Sequence, residues 1–109
     1  MKNKKTEYFP IPSLREHLRL RANGLTAQLS RSVARLTTCD LPCPEYGEEV
    51  QHQQTLSQEL FYVQHCRTTL ERCAAGSAAT LRYRFADGTV VTTRFSKVGP
   101  NRVKVLGLQ

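Results

Sequence analysis

The cysteines of this chain are the first residues to test for chemistry, because four of them could hold a metal. They are spaced C-x3-C and then C-x6-C, at Cys39, Cys43, Cys66 and Cys73. A zinc site needs four ligands that converge on a tetrahedron, but if residues 44–75 form one helix, Cys43 and Cys66 lie roughly 34 Å apart along it. We therefore expect free thiols, no metal site and no cofactor; the alternative is a site shared by Cys39, Cys43 and His52.

The histidines offer no catalytic pair. His65 and Cys66 are neighbours, and adjacent side chains point about 100° apart on a helix, so they cannot form a nucleophile–base pair directly. His17 and His52 have no such neighbour. The sequence also has no glycine-rich phosphate loop and no H-E-x-x-H or G-x-S-x-G motif. We expect a protein that is not an enzyme.

Charge is sorted along the chain. Residues 1–35 carry a net charge of +6, residues 36–79 carry −4 and residues 80–109 carry +5, within a total of +7. Such sorting can steer partners of opposite sign to different ends of one molecule. The pattern predicts one acidic and one basic contact surface.

The length and composition predict a soluble protein that is one domain, or a helical arm with a small subdomain. Mean hydropathy is −0.44 and 39% of the residues are hydrophobic, and no apolar run approaches the roughly 20 residues that span a bilayer. The basic start, residues 1–5, is not followed by the apolar stretch of a signal peptide. We expect a cytoplasmic protein; its lean core and long helices leave a homodimer open.

Two long helices are the elements that must position these residues. Residues 1–12 read as a basic extended lead-in, after which Ser13 and Glu16 fit a capping box. An apolar stripe then follows: Leu14, Leu18, Ala22, Leu25, Leu29, Val33 and Leu36. It predicts a first helix with an eleven-residue period. Asn23-Gly24 interrupts the stripe, so the alternatives to a continuous helix are a kink or a break at this position.

The second helix returns after a turn at residues 37–47. Its predicted stripe is Val50, Leu56, Leu60, Val63, Cys66, Leu70 and Cys73. The short turn makes the helices antiparallel neighbours, and a centre near residue 43 pairs Leu36 with Val50 and Leu25 with Phe61. Residues 13–76 are therefore predicted to form a helical hairpin.

The apolar period changes to two in the last part of the chain, residues 77–109. A three-residue loop, Ala86-Asp87-Gly88, aligns Tyr83 with Val91 and places the aromatic side chains on one face and the arginines on the other. Residues 102–106 read as a third strand. The predicted fold class is α+β, with a helical hairpin followed by a small three-stranded antiparallel sheet.

The sheet supplies the basic candidate site. Its predicted nucleic-acid-binding residues are Arg82, Arg84, Arg94, Lys97, Arg102 and Lys104. Lys97 is expected in the turn beside the face and the others on the face itself. Phosphate binding by such a face is sequence-independent and salt-dependent. The alternative is that these side chains only solubilise an exposed strand face.

The hairpin turn supplies the acidic candidate site, a tip predicted to contact a protein partner. Its residues are Asp40, Glu45, Tyr46, Glu48 and Glu49. Acidic residues at a helix N-terminus also stabilise the helix dipole, which is the alternative role. Both interpretations predict that the side chains of the tip are exposed to solvent.

The helix opening at residues 14–18 and the turn Asp-Leu-Pro-Cys-Pro-Glu-Tyr at residues 40–46 resemble the coiled-coil arm of the Gre transcript-cleavage factors. In that family a turn of the form D-L-x-x-N-x-E-Y joins two long antiparallel helices, the arm enters the secondary channel of RNA polymerase, and acids at the tip help hold a catalytic magnesium. By position Asp40 matches the tip aspartate, and Glu45 and Tyr46 match the Glu-Tyr pair. The turn here is one residue shorter and lacks the asparagine, so the resemblance implies contact rather than cleavage.

These observations predict a small non-enzymatic regulator. It would bind nucleic acid, or a nucleic-acid machine such as RNA polymerase, through the basic sheet face and the acidic tip. The competing hypothesis is a protein–protein adaptor or chaperone-like module whose helical seams bind a partner helix. Nothing in the sequence predicts a membrane partner.

Overall fold

The helical hairpin and the antiparallel sheet are confirmed, but the sheet has four strands rather than three. A computed structural model describes residues 6–38 and 43–109. Its elements are β1 (Thr6–Pro10), α1 (Ile11–Thr38), α2 (Cys43–Ala75), β2 (Ala78–Arg84), β3 (Val90–Gly99) and β4 (Arg102–Leu106). The strand order is β1-β4-β3-β2, with every neighbouring pair antiparallel. The α+β class therefore stands.

The strand that was not predicted is β1, which lies in the segment expected to be an extended lead-in. Its residues pair with β4 along its whole length, from Thr6 opposite Leu106 to Pro10 opposite Arg102. The strand passes directly into α1, which starts at Ile11. The backbone N–H of Ile11 donates a hydrogen bond of 2.9 Å to the Asn101 carbonyl. The strand was missed because its partner lies about a hundred residues away in sequence.

Helix α1 begins two residues before the predicted cap, so Ser13 lies inside it. Pro12 occupies the first turn, where its missing N–H leaves no helical bond unmade. The helix is continuous through the exposed Asn23-Gly24. The predicted alternatives of a kink or a break at this position are therefore not needed to describe α1.

The buried stripe of α1 differs from the predicted one at its end. Ile11, Leu18, Leu25 and Ser32 are buried at intervals of seven residues, whereas the predicted Val33 is 44% exposed. A seven-residue repeat keeps one seam of a helix facing its neighbour. The predicted stripe is confirmed at Leu14, Leu18, Ala22 and Leu25, and it is wrong at Val33, because the polar Ser32 takes the buried position there.

The predicted core positions of α2 are largely confirmed, since Leu56, Val63, Cys66, Leu70 and Cys73 are buried. The expected contact of Leu25 with Phe61 is wrong, because Phe61 is 57% exposed and its neighbour Tyr62 points into the core. The antiparallel arrangement is fixed near its open end by Arg15, which donates two hydrogen bonds of 2.8 Å to the Glu71 carboxylate.

The predicted β2–β3 register is confirmed. Tyr83 pairs with Val91 and Leu81 with Thr93, and Phe85 donates its N–H to the Thr89 carbonyl at 2.8 Å. Gly88 has φ +92°, a left-handed conformation that a residue with a side chain rarely adopts. The three-residue loop therefore sets the two faces of the sheet.

The helical hairpin lies against one face of the sheet, mainly through α2, and no described element covers the other face. The inward strand residues at the core are Leu81, Val91, Thr93, Phe95, Val103 and Val105. They pack on the later half of α2, and the hairpin extends beyond the sheet. The radius of gyration is 16.6 Å, against about 13 Å for a compact chain of this length. Among the described residues, no helix is long and apolar enough to cross a membrane.

Candidate nucleic-acid interface

The uncovered side of the sheet, called here the outer face, carries a group of cations. Strand alternation turns every second residue of β2, β3 and β4 toward this side. The five basic residues among them are Arg82, Arg84, Arg94, Arg102 and Lys104. The four arginines are exposed and Lys104 is half-buried. We call these five residues the basic face.

The strand register arranges the basic face as a diagonal path. Arg82 lies opposite Thr92, so Arg94 is its diagonal neighbour on β3. Arg94 lies opposite Leu106, so Lys104 is the next diagonal neighbour on β4. Diagonal and same-strand neighbours are about 7 Å apart. The order along the path is Arg84, Arg82, Arg94, Lys104 and Arg102. Four such steps extend over about 28 Å.

Within the part of the chain that the structure describes, none of these five side chains makes an ion pair or a side-chain hydrogen bond. No acidic residue occupies an outward position of the four described strands. Like charges at this spacing repel one another, and nothing on the face compensates them. The basic face therefore presents a concentrated positive potential to solvent.

Five of the seven arginines in the described helices have a side-chain partner, since Arg21 donates to the Gln109 carbonyl and Arg67 to the Gln64 side chain in addition to three ion pairs. Arg15 pairs with Glu71, Arg19 with Glu16, and Arg35 with Glu49. Arg31 and Arg72 are exposed and make no such contact with described residues. The contrast shows that unpaired arginines are concentrated on the sheet rather than spread evenly over the surface.

Lys97 was expected in the turn beside the basic face, but it belongs to β3 and points to the helical side. It lies opposite the buried Val103, just before a register shift between Lys97 and Gly99. Its Nζ donates a hydrogen bond of 3.2 Å to the Ala74 carbonyl. A cation at a helix C-terminus satisfies an orphan carbonyl and complements the dipole. Lys97 therefore stabilises the end of α2 and does not contribute to the outer face.

The acidic tip is only partly as predicted. Glu45, Tyr46 and Glu48 are exposed in the first turns of α2, with Tyr46 at 42%. Asp40 lies outside the described residues. The exposed members of the tip thus remain available for contact, and the proposed match of Asp40 to the tip aspartate of the Gre factors stays a prediction.

Glu49 corrects the expectation of a wholly solvated tip, because its side chain is only 9% exposed. The Ser32 hydroxyl donates to its Oε2 at 2.6 Å and Arg35 Nη1 donates to its Oε1 at 3.1 Å. These two bonds, the one from Ser32 first, hold the pKa of Glu49 below its ordinary value of 4.5 despite the opposing effect of burial. Glu49 therefore joins the two helices.

Sequence reasoning missed this contact because Ser32 is polar and was not counted in the seam. The signal was present, since Ser32 follows Leu25 and Leu18 at the seven-residue interval. A small hydroxyl residue at a seam position, facing a glutamate of the returning helix, indicates a buried hydrogen bond between helices.

A second buried polar chain connects α2, β3 and residues 107–109. The Thr93 hydroxyl donates to the Gly107 carbonyl at 3.0 Å, so the Tyr62 hydroxyl donates to Thr93 Oγ1 at 2.8 Å and accepts from the Gln109 N–H at 3.1 Å. Arg21 also donates to the Gln109 carbonyl. Burial raises the pKa of Tyr62 to about 12. This phenol is a neutral structural group at physiological pH.

The described cysteines show no sign of reactivity. Cys66 and Cys73 are free and buried, and burial raises the pKa of Cys66 to about 11 and raises that of Cys73. Their thiolate fractions near pH 7 are therefore small. The side chains of Cys39 and Cys43 lie outside the described structure, as does the alternative site they would share with His52.

Comparisons with known proteins give no relative from which a role could be transferred: no family model, no curated protein and no solved structure matches this chain. The resemblance to the Gre arm stays a prediction. The basic face is the largest group of like charges without partners among the described residues, since the exposed tip acids number two, Glu45 and Glu48.

Proposed function

We propose that this protein binds nucleic acid through the phosphates of its backbone, using the basic face of the sheet. The observation that carries the proposal is the set of five cations without partners among the described residues, on a face that has no acidic residue. Phosphate contacts of this kind supply affinity without reading sequence.

Access supports the proposal. Both helices pack on the inner face, where Tyr62 and Val63 of α2 meet Phe95 and its neighbours. No described element covers the outer face along the four strands, so a ligand can approach it without displacing any of the described elements. Since the strands are held by a confirmed ladder of register pairs, the cations are attached to a rigid platform.

The arrangement of charge also supports the proposal. A path of five cations over about 28 Å, at steps of about 7 Å, suits an extended polyanion better than a small ligand. The outward residues directly opposite Arg82, Arg94 and Lys104 on the neighbouring strands are uncharged: Thr92, Thr80 and Ser96. The cations therefore form a single row. We infer that one strand of nucleic acid follows the diagonal.

A pair of charge-matched variants tests the proposal. Arg82→Gln/Arg94→Gln removes two cations from the centre of the path, while Arg31→Gln/Arg72→Gln removes two exposed, unpaired cations from the helical layer. Both change the net charge equally. Each lost phosphate contact lowers the salt slope by about 0.7 for a single strand.

The first variant should therefore bind a generic oligonucleotide about 20-fold less tightly at 0.1 M salt, and the second should bind nearly as the parent does. Affinities can be measured by fluorescence anisotropy from 50 to 200 mM salt. Equal losses in the two variants would mean that only net charge matters and that the sheet face is not the site.

A further inference from the structure

The strand that the sequence pattern missed brings an aromatic side chain to the outer face. Tyr8 of β1 lies opposite Lys104 of β4 and is 55% exposed. Its neighbour Phe9 faces the other way and packs against the core. The expectation that all strand aromatics point inward holds for Tyr83 and Phe85, but it did not consider β1.

Tyr8 lies at one end of the basic path. Lys104 is its direct cross-strand neighbour, with Cβ atoms about 5 Å apart, and Arg102 is a diagonal neighbour at about 7 Å. The residues next to it on the outer side of β1 are Thr6 and Pro10, which carry no charge. A phenol ring therefore stands beside two cations and no acid.

No ring contact or hydrogen bond holds the Tyr8 side chain against another described residue. This distinguishes Tyr8 from Tyr83, whose ring centroid lies 4.9 Å from that of Phe85. It also distinguishes Tyr8 from Tyr62, whose hydroxyl is hydrogen-bonded inside the protein. Among the described tyrosines of the sheet, Tyr8 is the one whose ring is free to receive a partner.

A ring that adjoins phosphate-binding cations has a recognised use. Unpaired bases stack on exposed aromatic side chains while nearby Lys and Arg side chains hold the backbone, and this stacking is tolerant of sequence. In a duplex the base faces are already stacked on each other and are not offered to a protein ring. Only the single-stranded form could use Tyr8 and the basic face together.

We propose that Tyr8 is a base-stacking platform and that the ligand of the basic face is therefore single-stranded nucleic acid. This inference rests on the proposed function. Lys104 and Arg102 bind the phosphates that flank the stacked base, and the remaining cations guide the strand toward β2. The outer face thus distinguishes single strands from duplexes by the ring and not by the charges.

The test separates stacking from charge. Three fluorescent probes of equal length and comparable backbone are used: a thymidine oligonucleotide, an abasic deoxyribose-phosphate strand and a duplex. A uridine oligonucleotide is added to distinguish RNA from DNA as the source of the single strand. The variants are Tyr8→Ala and Tyr8→Phe, and the matched control is Phe61→Ala, which removes an equally exposed ring from α2.

Tyr8→Ala should weaken binding of the base-containing single strands by about 5- to 100-fold and leave binding of the abasic strand and the duplex unchanged. Tyr8→Phe and Phe61→Ala should bind as the parent does. The thermal midpoint of each variant is compared with that of the parent, so that a loss confined to base-containing probes in a folded protein supports stacking.

Two results would overturn the inference, and they can be told apart. If the parent binds the abasic strand as tightly as thymidine, or if Tyr8→Ala loses affinity equally for all probes, the basic face binds phosphate but Tyr8 does not stack. If the parent binds no probe at 50 mM salt, the proposed function fails together with this inference.

Discussion

On the outer face of the sheet five cations have no partner among the described residues, whereas at the hairpin end the acidic Glu49 is enclosed by Ser32 and Arg35. Both regions were predicted from clustered charge. Only the second cluster is used by the fold itself, since its bonds join α1 to α2. The difference teaches that a charge cluster indicates a binding surface only after its internal partners have been counted.

The same comparison holds between the basic face and the buried chain at Tyr62. The phenol donates and accepts inside the protein and connects α2 to β3 and to Gln109. Substitutions there should change stability and leave binding alone. Substitutions on the basic face should do the opposite, and four predictions follow that contrast in decreasing order of effect.

The largest effect is expected for the triple variant Arg82→Gln/Arg84→Gln/Arg94→Gln. It removes three of five phosphate contacts, so its affinity for a single-stranded oligonucleotide should fall about 100-fold at 0.1 M salt. Its thermal midpoint should stay within about 3 °C of that of the parent, because exposed positions contribute little to stability. Anisotropy and calorimetry measure the two quantities. A variant that melts much earlier would show that the face has a structural role and would break the comparison.

The next effect concerns Tyr62→Phe, which leaves the ring in place and removes the hydroxyl. Thr93 Oγ1 loses its donor and the Gln109 N–H loses its acceptor, which should cost about 1–3 kcal/mol. Denaturant unfolding should detect this loss, while oligonucleotide affinity should be unchanged. A stability equal to that of the parent would mean that water replaces the hydroxyl without cost.

A smaller effect is expected in the pH dependence of stability. The pKa of Glu49 is lowered in the folded protein, mainly by the hydrogen bond from Ser32. The stabilisation is therefore present above the ordinary value of 4.5 and is lost as pH falls through the lower folded pKa. Thermal midpoints measured from pH 7 to pH 3 should fall less steeply for Glu49→Gln than for the parent.

Glu48→Gln provides the matched control, because Glu48 is an exposed acid that directly precedes Glu49 on the same helix. Its pH profile should follow that of the parent. If the profiles of Glu49→Gln and Glu48→Gln coincide, the contact with Ser32 does not contribute measurably, and the contrast between the hairpin end and the sheet is lost.

The smallest effect is expected for Glu45→Gln/Glu48→Gln. Both residues are exposed and remote from the core, so the thermal midpoint should move by less than about 3 °C. Oligonucleotide affinity should not fall, because neither acid adjoins the basic face. A double variant with strongly reduced stability would show that the first turns of α2 depend on these acids through the helix dipole.

The sequence was sufficient for the part of the sheet that is built locally. The Ala86-Asp87-Gly88 loop fixes the register of Tyr83 with Val91, and that register alone determines which side the arginines face. Three of the five members of the basic face, Arg82, Arg84 and Arg94, follow from short-range alternation in this way, and Arg102 and Lys104 follow from the strand after the next turn. Only Lys97 was misplaced, because β3 extends to Gly99 and includes the position that was expected in the turn.

The remaining features depend on contacts between distant parts of the chain. Glu49 is buried because α1 turns Ser32 toward α2. The prediction from apolar residues had placed Val33 at that position. The position of Tyr8 requires β1 to pair with β4, almost the full length of the chain away. Residues 6–10 show no clear alternation, since the aromatic Tyr8 and Phe9 are adjacent and Pro10 follows them, so periodicity did not predict the aromatic edge of the outer face.

The central claim is that five cations of one sheet face bind phosphates, and the salt dependence of binding tests it most directly. For a single strand that contacts all five, the logarithm of the association constant should fall with the logarithm of salt concentration with a slope of about −3.5. The parent protein should therefore lose about 100-fold in affinity between 50 and 200 mM salt. A loss below about fivefold over that range, or no detectable binding at 50 mM salt, would contradict the account.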